Sequence, residues 1–378
     1  MTPSQQESIL KPAGWMHYRY PFIYGQPDTR QFPLATWRSA ANWLHGGVRD
    51  PAWVIDHIDQ DVPMLIEQIR TRVLPKRGIV AAPDEILITL GSQNALYLLT
   101  RLLLSSTTRI GVENPCFREA INTFLLADAE VVPHPVDEEG IVLNERPCDY
   151  YYVTPGHQVP TGVTMSSARR RQLLEHAARH DAVIIEDDYD SESNFTLNPL
   201  PALKASDRSG RVVYVSSLSK ALSPGLRLGF MVADPDLIDE ARALRRLVYR
   251  HPPTNIQYQM AHFLAQGHYE THLRRYHFDS AQRWERLHAA LQRYLPSCRA
   301  LAGSEHANAF WLQTPAQINT QQLTWRAAHA GVLIEPGARH FLSAAPPDNY
   351  FRMGFHAINP DAIAQGVEVL RGQLEQMG

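Results

Sequence analysis

Through the middle of the chain, short continuous apolar runs alternate with longer stretches in which apolar positions recur every three to four residues. The runs are Ile86-Leu87-Ile88-Thr89-Leu90, Ile110-Gly111-Val112, Glu130-Val131-Val132, Tyr150-Tyr151-Tyr152-Val153, Ala182-Val183-Ile184-Ile185, Val212-Val213-Tyr214-Val215 and Phe230-Met231-Val232. Apolar runs without polar alternation predict strands covered on both faces. Helical spacing predicts helices over 62–73, 94–104, a stretch after Phe117 reaching Leu126, and a basic amphipathic stretch at 167–180. Further helices are expected over 235–247 and 255–294, with Pro252-Pro253-Thr254 as the break between them. Strands separated by helices imply a mainly parallel sheet with helices on both faces, and a ligand site beyond the carboxyl ends of its strands.

The two ends read differently. Residues 1–45 begin as an aromatic-rich arm with Trp15, Tyr18, Tyr20, Phe22 and Tyr24. Gly25-Gln26-Pro27-Asp28 and Phe32-Pro33 follow, then a helical pattern through Trp37 and Trp43. Turn-formers inside an aromatic segment predict a loop laid over another surface, either packing there or closing a site. A proline and a composition shift at 295–303 mark entry to a smaller α+β region. There Phe310-Trp311-Leu312, Val332-Leu333-Ile334 and 350–355 read as strands, and 360–376 as a final helix. The expected division is an arm at 1–45, a large domain at 46–265 and a small domain at 266–378.

Bulk numbers narrow the function. The chain has 378 residues, of which 44% are hydrophobic and 20% charged, an ordinary balance for a protein with a large core. A net charge of -3 gives no general attraction for nucleic acid. No apolar run reaches membrane-spanning length, and the N-terminus lacks a signal-peptide pattern. The cysteines, Cys116, Cys148 and Cys298, are odd in number and far apart, which fits a reducing cytoplasm. None of the 17 histidines stands in a metal-ligand spacing, so no metal is expected.

Candidate chemistry centres on the stretch from Val212 to Gly229, where a β-branched run ends in Ser216-Ser217-Leu218-Ser219-Lys220 and Arg227 follows seven residues on. A lysine that attacks a carbonyl must be partly unprotonated, and a strand end held off solvent favours this. Ser217, Ser219 and the Arg227 fork can hold a phosphate beside it. Gly91-Ser92-Gln93 lies between a strand and a helix, where backbone N–H groups point at an anion; the plain alternative is a left-handed turn. Asp187 ends a buried strand, where an acid is costly unless paired, although a capping role would also place an aspartate there. Phe117 can stack on a ring or simply pack in the core. Arg352 can clamp a carboxylate or form an interdomain salt bridge.

The order of these pieces resembles fold-type I pyridoxal 5'-phosphate (PLP) aminotransferases. It comprises a phosphate turn, an aromatic stacker, His157-Gln158-Val159-Pro160-Thr161-Gly162, Asp187-Asp188-Tyr189, Ser217-Leu218-Ser219-Lys220 with Arg227, and a late Arg352. More narrowly, Glu186-Asp187-Asp188-Tyr189-Asp190-Ser191-Glu192, Pro224-Gly225-Leu226-Arg227-Leu228-Gly229 and the Gly-x-Pro-Asp arm resemble the aminotransferase-like domain of MocR/GabR-type regulators. The resemblance implies an α/β fold with a seven-stranded-type sheet between helices and a smaller C-terminal α+β domain. It implies PLP bound covalently to Lys220, which also moves the proton, with Asp187 on the ring nitrogen and Tyr189 on the phenolate oxygen. Phe117 would stack on the ring. Gly91, Ser92, Gln93, Ser217, Ser219 and Arg227 would hold the phosphate, and Arg352 and Tyr24 the substrate. Ordinary members have asparagine at Val159, which cannot hydrogen-bond the phenolate, so His157 or Gln158 would assist Tyr189.

Two further departures matter. No tyrosine occurs around Asp56-His57-Ile58, where the family places one that reaches the partner's phosphate. The arm starts at Met1, where the regulators carry a winged helix-turn-helix. The expectation is therefore a cytoplasmic, free-standing, homodimeric aminotransferase of specialised metabolism, converting an L-amino acid to its 2-oxo acid. Its sites would be shared between subunits, with the 250–255 loop a candidate donor, and it would bind neither nucleic acid nor membrane. The alternatives are racemisation, elimination or oxygen-dependent oxidation with the same cofactor, or a non-catalytic module that senses PLP and an amino acid.

Overall fold

The computed structural model describes residues 12, 14–47, 52–56, 59–195, 199–300 and 307–377. Strand β1 (Tyr20–Pro21) and helix α1 (Leu34–Gly47) come first. Helix α2 (Pro63–Gln68) opens on a proline, whose missing N–H is harmless in a first turn. It runs on through a π turn and a 3-10 turn to Gly78, whose left-handed φ of 73° ends it. The alternating region follows as β2 (Ile86–Thr89), α3 (Ser92–Leu103), β3 (Arg109–Asn114), α4 (Arg118–Leu125) and β4 (Glu130–Asp137). It continues with β5 (Gly140–Ile141), β6 (Tyr150–Val153), α5 (Ser167–Arg179), β7 (Val183–Asp188), α6 (Leu203–Ser206), β8 (Val212–Ser217) and β9 (Gly229–Val232). Three helices then run in series: α7 (Pro235–Val248), α8 (Thr254–Ala265) and α9 (His268–Tyr294). The last part contains β10 (Arg299–Ala300), β11 (Ala309–Gln313), α10 (Thr320–His329), β12 (Val332–Leu333), β13 (Glu335–Pro336), β14 (Tyr350–Gly354) and α11 (Ile363–Glu375).

The large sheet has the order β2-β9-β8-β7-β6-β3-β4-β5. It carries eight strands rather than the seven expected, the additional one being the two-residue β5 hairpin partner of β4. Pairing is parallel from β8 through β4, and β9 runs against both of its neighbours. Alternate residues enter opposite cores, as buried strands require. Ile86 and Ile88 pack with α2 and α8, while Leu87, Val213, Val215 and Met231 pack with α3, α4 and α7. A further cluster under α5 takes Ile184, Tyr151 and Val153 from the sheet.

Some expectations change. The helical pattern over 255–294 is two helices, because Gly267 at φ 70° turns the chain between α8 and α9. Helix α9 belongs to two cores, giving Leu273 and Tyr276 to the large one and Leu287, Ala290 and Leu291 to the small one. The short strands β1, β10 and β13 had no apolar run to announce them. The arm is built into the small domain: β1 pairs with β12, and Tyr20 and Phe22 lie in its core beside Val332, Phe351 and Met353. Among the described residues no helix is long and apolar enough to cross a membrane. His57 and Ile58 lie outside the described residues.

Candidate active site

The carboxyl ends of β2, β3, β6, β7 and β8 point to one edge of the sheet, and because β9 runs the other way its N-terminal flank, with Arg227, meets them there. A cavity of about 320 Å³ opens at this edge, roofed by the arm and the small-domain strands. Its lining brings together Tyr24, Gly91, Ser92, Gln93, Phe117, Val159, Asp187, Tyr189, Ser217, Ser219, Lys220, Arg227 and Arg352, and adds Glu335 and His340.

Strand β7 ends in three consecutive acids, and pleating divides their roles. Glu186 accepts the backbone N–H groups of Leu203 and Lys204 at 2.7 and 2.9 Å. Asp188 takes Arg77 Nε at 2.7 Å and the Tyr214 hydroxyl at 2.8 Å. Asp187 faces the other way into the cavity. Tyr152 donates to its Oδ2 at 2.9 Å, and its Oδ1 is buried without a partner. Burial pushes the Asp187 carboxyl up to about 7, since a lone charge there has no solvent to stabilise it. A cationic donor placed against Oδ1 would satisfy that atom and favour the charged form.

The lysine loop is held by its own hydroxyl. Ser219 Oγ donates to the Leu228 carbonyl at 2.9 Å and accepts from the Leu228 N–H at 2.7 Å, clamping the segment between β8 and β9. Ser217 Oγ accepts from the Ser219 N–H at 3.3 Å. Lys220 Nζ then stands 4.2 Å from the centre of the Tyr24 ring and 5.1 Å from that of Tyr189. Across the cavity floor, Gly91 caps α3 at φ 84°, ψ 172°, backbone that side chains rarely adopt. A Cβ there would also come within 2.9 Å of Arg227 Nη2, which donates to the Leu90 carbonyl at 2.9 Å. The bare turn, the N-terminus of α3 and the guanidinium form an anion cradle.

The roof is the part sequence reading described least. Tyr24 donates its hydroxyl to Asp190 Oδ2 at 3.1 Å and offers its ring to the Arg352 guanidinium, whose Cζ lies 3.7 Å from the ring centre. Burial opposes ionisation of Asp190, but the neighbouring His157 imidazole, the Lys220 charge and the Asn308 amide outweigh it and hold the carboxyl down at about 2. Arg352 sits opposite Glu335 in the β13–β14 register, with Nη1 4.0 Å from Glu335 Oε1 and its buried Nε unpartnered. The ion pair considered for Arg352 thus exists, but within the small-domain sheet rather than between domains. Glu335 also meets His340 Nε2 at 2.7 Å.

Three expected residues sit differently. The His157 side chain turns to Asp190, Nδ1 to Oδ2 3.6 Å, and lines a separate small pocket. Gln158 is committed to Pro115 O, Val159 O and Glu113, so it holds the loop rather than facing a ligand. Tyr189 donates to the His157 carbonyl at 3.1 Å; bonding a ligand would mean exchanging that partner. The 250–255 loop binds the large domain through Arg250 and His251, both on Asp56. Sequence reading missed Tyr152, Asp190, Asn308, Glu335 and His340. Of these only Asp190 stood in a quoted motif, and the rest had no local signal.

These residues fit PLP: an orphaned carboxylate oxygen for the ring nitrogen, an aromatic wall, an anion cradle and a lysine on one cavity. Comparison with known proteins agrees. The sequence profile of the aminotransferase class I and II family matches residues 59–369. The HTH-type transcriptional regulator TauR of Rhodobacter capsulatus is 39% identical over 93% of this chain and 72% of its own length. Among solved structures, kynurenine aminotransferase from Pyrococcus horikoshii superposes with a TM-score of 0.86 at 26% identity, covering 94% of this chain and 90% of that one. LysN, the alpha-aminoadipate aminotransferase of Thermus thermophilus, gives 0.85 at 27% identity over 94% and 92%. The profile match over most of the chain and the similarity to these relatives agree on one conclusion: the chain belongs to the aminotransferase class I and II family, of the MocR/TauR-like kind, and its cofactor is PLP.

Proposed function

We propose that the protein is a transaminase, carrying the amino group of an L-amino acid to a 2-oxo acid. The observation that carries this reading is the placement of Lys220 Nζ between the rings of Tyr24 and Tyr189, in one cavity with the unpartnered oxygen of Asp187 and the Arg352 guanidinium. Bound PLP supplies an electron sink for the charge left at the substrate α-carbon. The chain supplies the rest. Asp187 Oδ1 would hold the ring nitrogen, and Phe117 and Val159 would line the ring's site. The Gly91–Gln93 turn, Ser217 and Arg227 would hold the phosphate. Ser219 keeps the lysine loop in shape. Arg352 receives the α-carboxylate on the edge that includes its free Nε and orients the α-hydrogen toward Lys220. Lys220 Nζ takes that proton from the α-carbon and later gives one back. Tyr24 covers the lysine and the arginine from the arm side and helps to exclude water.

We also propose a homodimer to which the 250–255 loop contributes; sedimentation of the holoprotein as a monomer would refute that part. The test of the activity is an absorbance scan of purified protein with PLP, repeated after each common L-amino acid is added without any oxo acid. Conversion of the cofactor to its amine form by one amino acid, with release of one equivalent of 2-oxo acid, supports transamination. Ammonia release with return of the starting spectrum points instead to elimination or oxidation. The 39% identity to TauR, a transcriptional regulator, favours a second reading, a non-catalytic module that senses PLP and an amino acid. A spectrum that shifts and then stalls, without oxo acid, would favour it.

A further inference from the structure

Accepting PLP and the carboxylate role of Arg352 from the reading above, the roof poses a problem. An acid beside the substrate-binding arginine competes with the substrate's own carboxylate. Glu335 stands opposite Arg352 in the β13–β14 register, with Oε1 4.0 Å from Nη1, and it lines the same cavity. Left as a bare anion in this poorly solvated position, it would draw the guanidinium to itself and repel an incoming carboxylate.

His340 answers the problem. It has no solvent exposure, and both of its ring nitrogens face oxygen acceptors. Nδ1 lies 2.9 Å from the Cys116 carbonyl, and Nε2 lies 2.7 Å from Glu335 Oε1. A carbonyl can only accept, so Nδ1 carries a proton. With Glu335 as the anion of the pair, Nε2 donates to it and carries the second. The ring is further fixed by its own backbone, because the His340 carbonyl accepts the Cys116 N–H at 2.9 Å. Gly337 allows the tight approach of this segment, since a Cβ there would fall 2.6 Å from the Tyr350 backbone oxygen and side chain. The segment is thereby tied to the turn that presents Phe117.

We propose that His340 is a specificity-determining positioning residue: its positive charge pairs with Glu335 and leaves Arg352 available to the substrate carboxylate. Glu335 still fixes one edge of the guanidinium, but the His340–Glu335 pair is neutral as a unit. The site consequently recognises a carboxylate next to the amine, rather than an amine alone, only while His340 is in place.

The test uses the holoenzyme and a matched pair of probes: 2-methylalanine, which has no α-hydrogen to lose, and isopropylamine, the same amine without its carboxylate. Binding of each is read as the dissociation constant from the cofactor absorbance. His340→Gln is expected to weaken 2-methylalanine by roughly 10-fold or more, the scale for losing access to a charge-assisted carboxylate contact, with isopropylamine unchanged. Glu335→Gln alone should leave 2-methylalanine within about threefold of wild type, and the double variant should recover that value, because the competitor is gone. An unrescued double variant overturns the proposal, since His340 would then act only as structural support. A Glu335→Gln loss as large as that of His340→Gln overturns it too. Should His340→Gln not fold, nitrogen NMR of ring-labelled histidine decides instead. The proposal requires a ring with both nitrogens protonated in wild type that loses one proton in Glu335→Gln; a singly protonated ring in wild type overturns it. A wild-type cofactor band that responds to neither probe would instead refute the amino-acid-binding reading on which this inference rests.

Discussion

The floor and the roof of the cavity are built on opposite plans. On the floor, Gly91, Phe117, Asp187, Ser217, Lys220 and Arg227 each stand at or within a few residues of a strand end of one sheet. Parallel pairing from β8 to β4, with antiparallel β9 between β8 and β2, brings those ends together. On the roof, Tyr24, Glu335, His340 and Arg352 come from the N-terminal arm, a two-residue strand, a single turn and a late strand, which only the small-domain core assembles. On the proposed reading the floor holds the cofactor and the roof meets the substrate, so catalytic power and substrate choice would be carried by parts of the molecule with different dependence on tertiary packing.

That contrast can be broken experimentally. Lys220→Ala should remove both covalent PLP attachment and proton transfer, with turnover falling by roughly 10²–10⁴-fold or more and circular dichroism unchanged. A reducible cofactor adduct persisting in this variant would mean the wrong lysine has been identified. Asp187→Asn should lower turnover by about 10²–10³-fold, the scale for losing a preorganised charge. It also carries a stability signature. Burial raises the Asp187 carboxyl to about 7 in the folded protein, against about 3.9 in an unfolded chain. Its favourable contribution is therefore complete below about pH 4 and is lost as pH rises through about 7. Urea melts of cofactor-free protein at pH 5 and pH 8 should show a smaller pH difference in Asp187→Asn than in wild type. Glu113, also pushed up to about 7 by burial, keeps some slope in both.

A roof variant should behave otherwise. Arg352→Ala is expected to weaken amino-acid binding by roughly 10–100-fold, as for a lost charge-assisted pair, while PLP absorbance and affinity stay at wild-type values. If it instead lowers the melting temperature sharply, the pairing with Glu335 is chiefly structural. Gly91→Ala should give the smallest effect. The Cβ meets Arg227 and a strained backbone, costing about 1–3 kcal/mol, so PLP affinity should drop before turnover at saturating cofactor does. Unchanged PLP affinity would remove the turn from the phosphate cradle.

Much of the floor was legible because its signals are local. An apolar run, a turn residue and a polar side chain lie within ten residues of one another, as in Val212–Lys220 or Ile86–Gln93. Even there, adjacency misleads. His157 and Gln158 stand in the loop motif, but packing turns one to Asp190 and commits the other to Pro115, Val159 and Glu113. Ser219 looked like a phosphate ligand and is occupied with Leu228. The roof gave less warning: the resemblance named Tyr24 and Arg352, but nothing local announced Glu335 and His340 or the pairing of Tyr24 with Asp190, 166 residues away.

By itself, the order of residues determined the sheet, its mainly parallel direction, the edge at which the cavity opens and the lysine that lines it. These follow from short-range periodicity and from the one-directional geometry of strand–helix–strand connections. Tertiary structure alone decided which of three consecutive acids faces the cavity, which hydroxyls remain for a ligand and what stands next to Arg352. Those outcomes depend on hydrogen-bond competition between segments far apart in the chain. Neither a carboxylate nor an imidazole shows in the sequence which partner reaches it first.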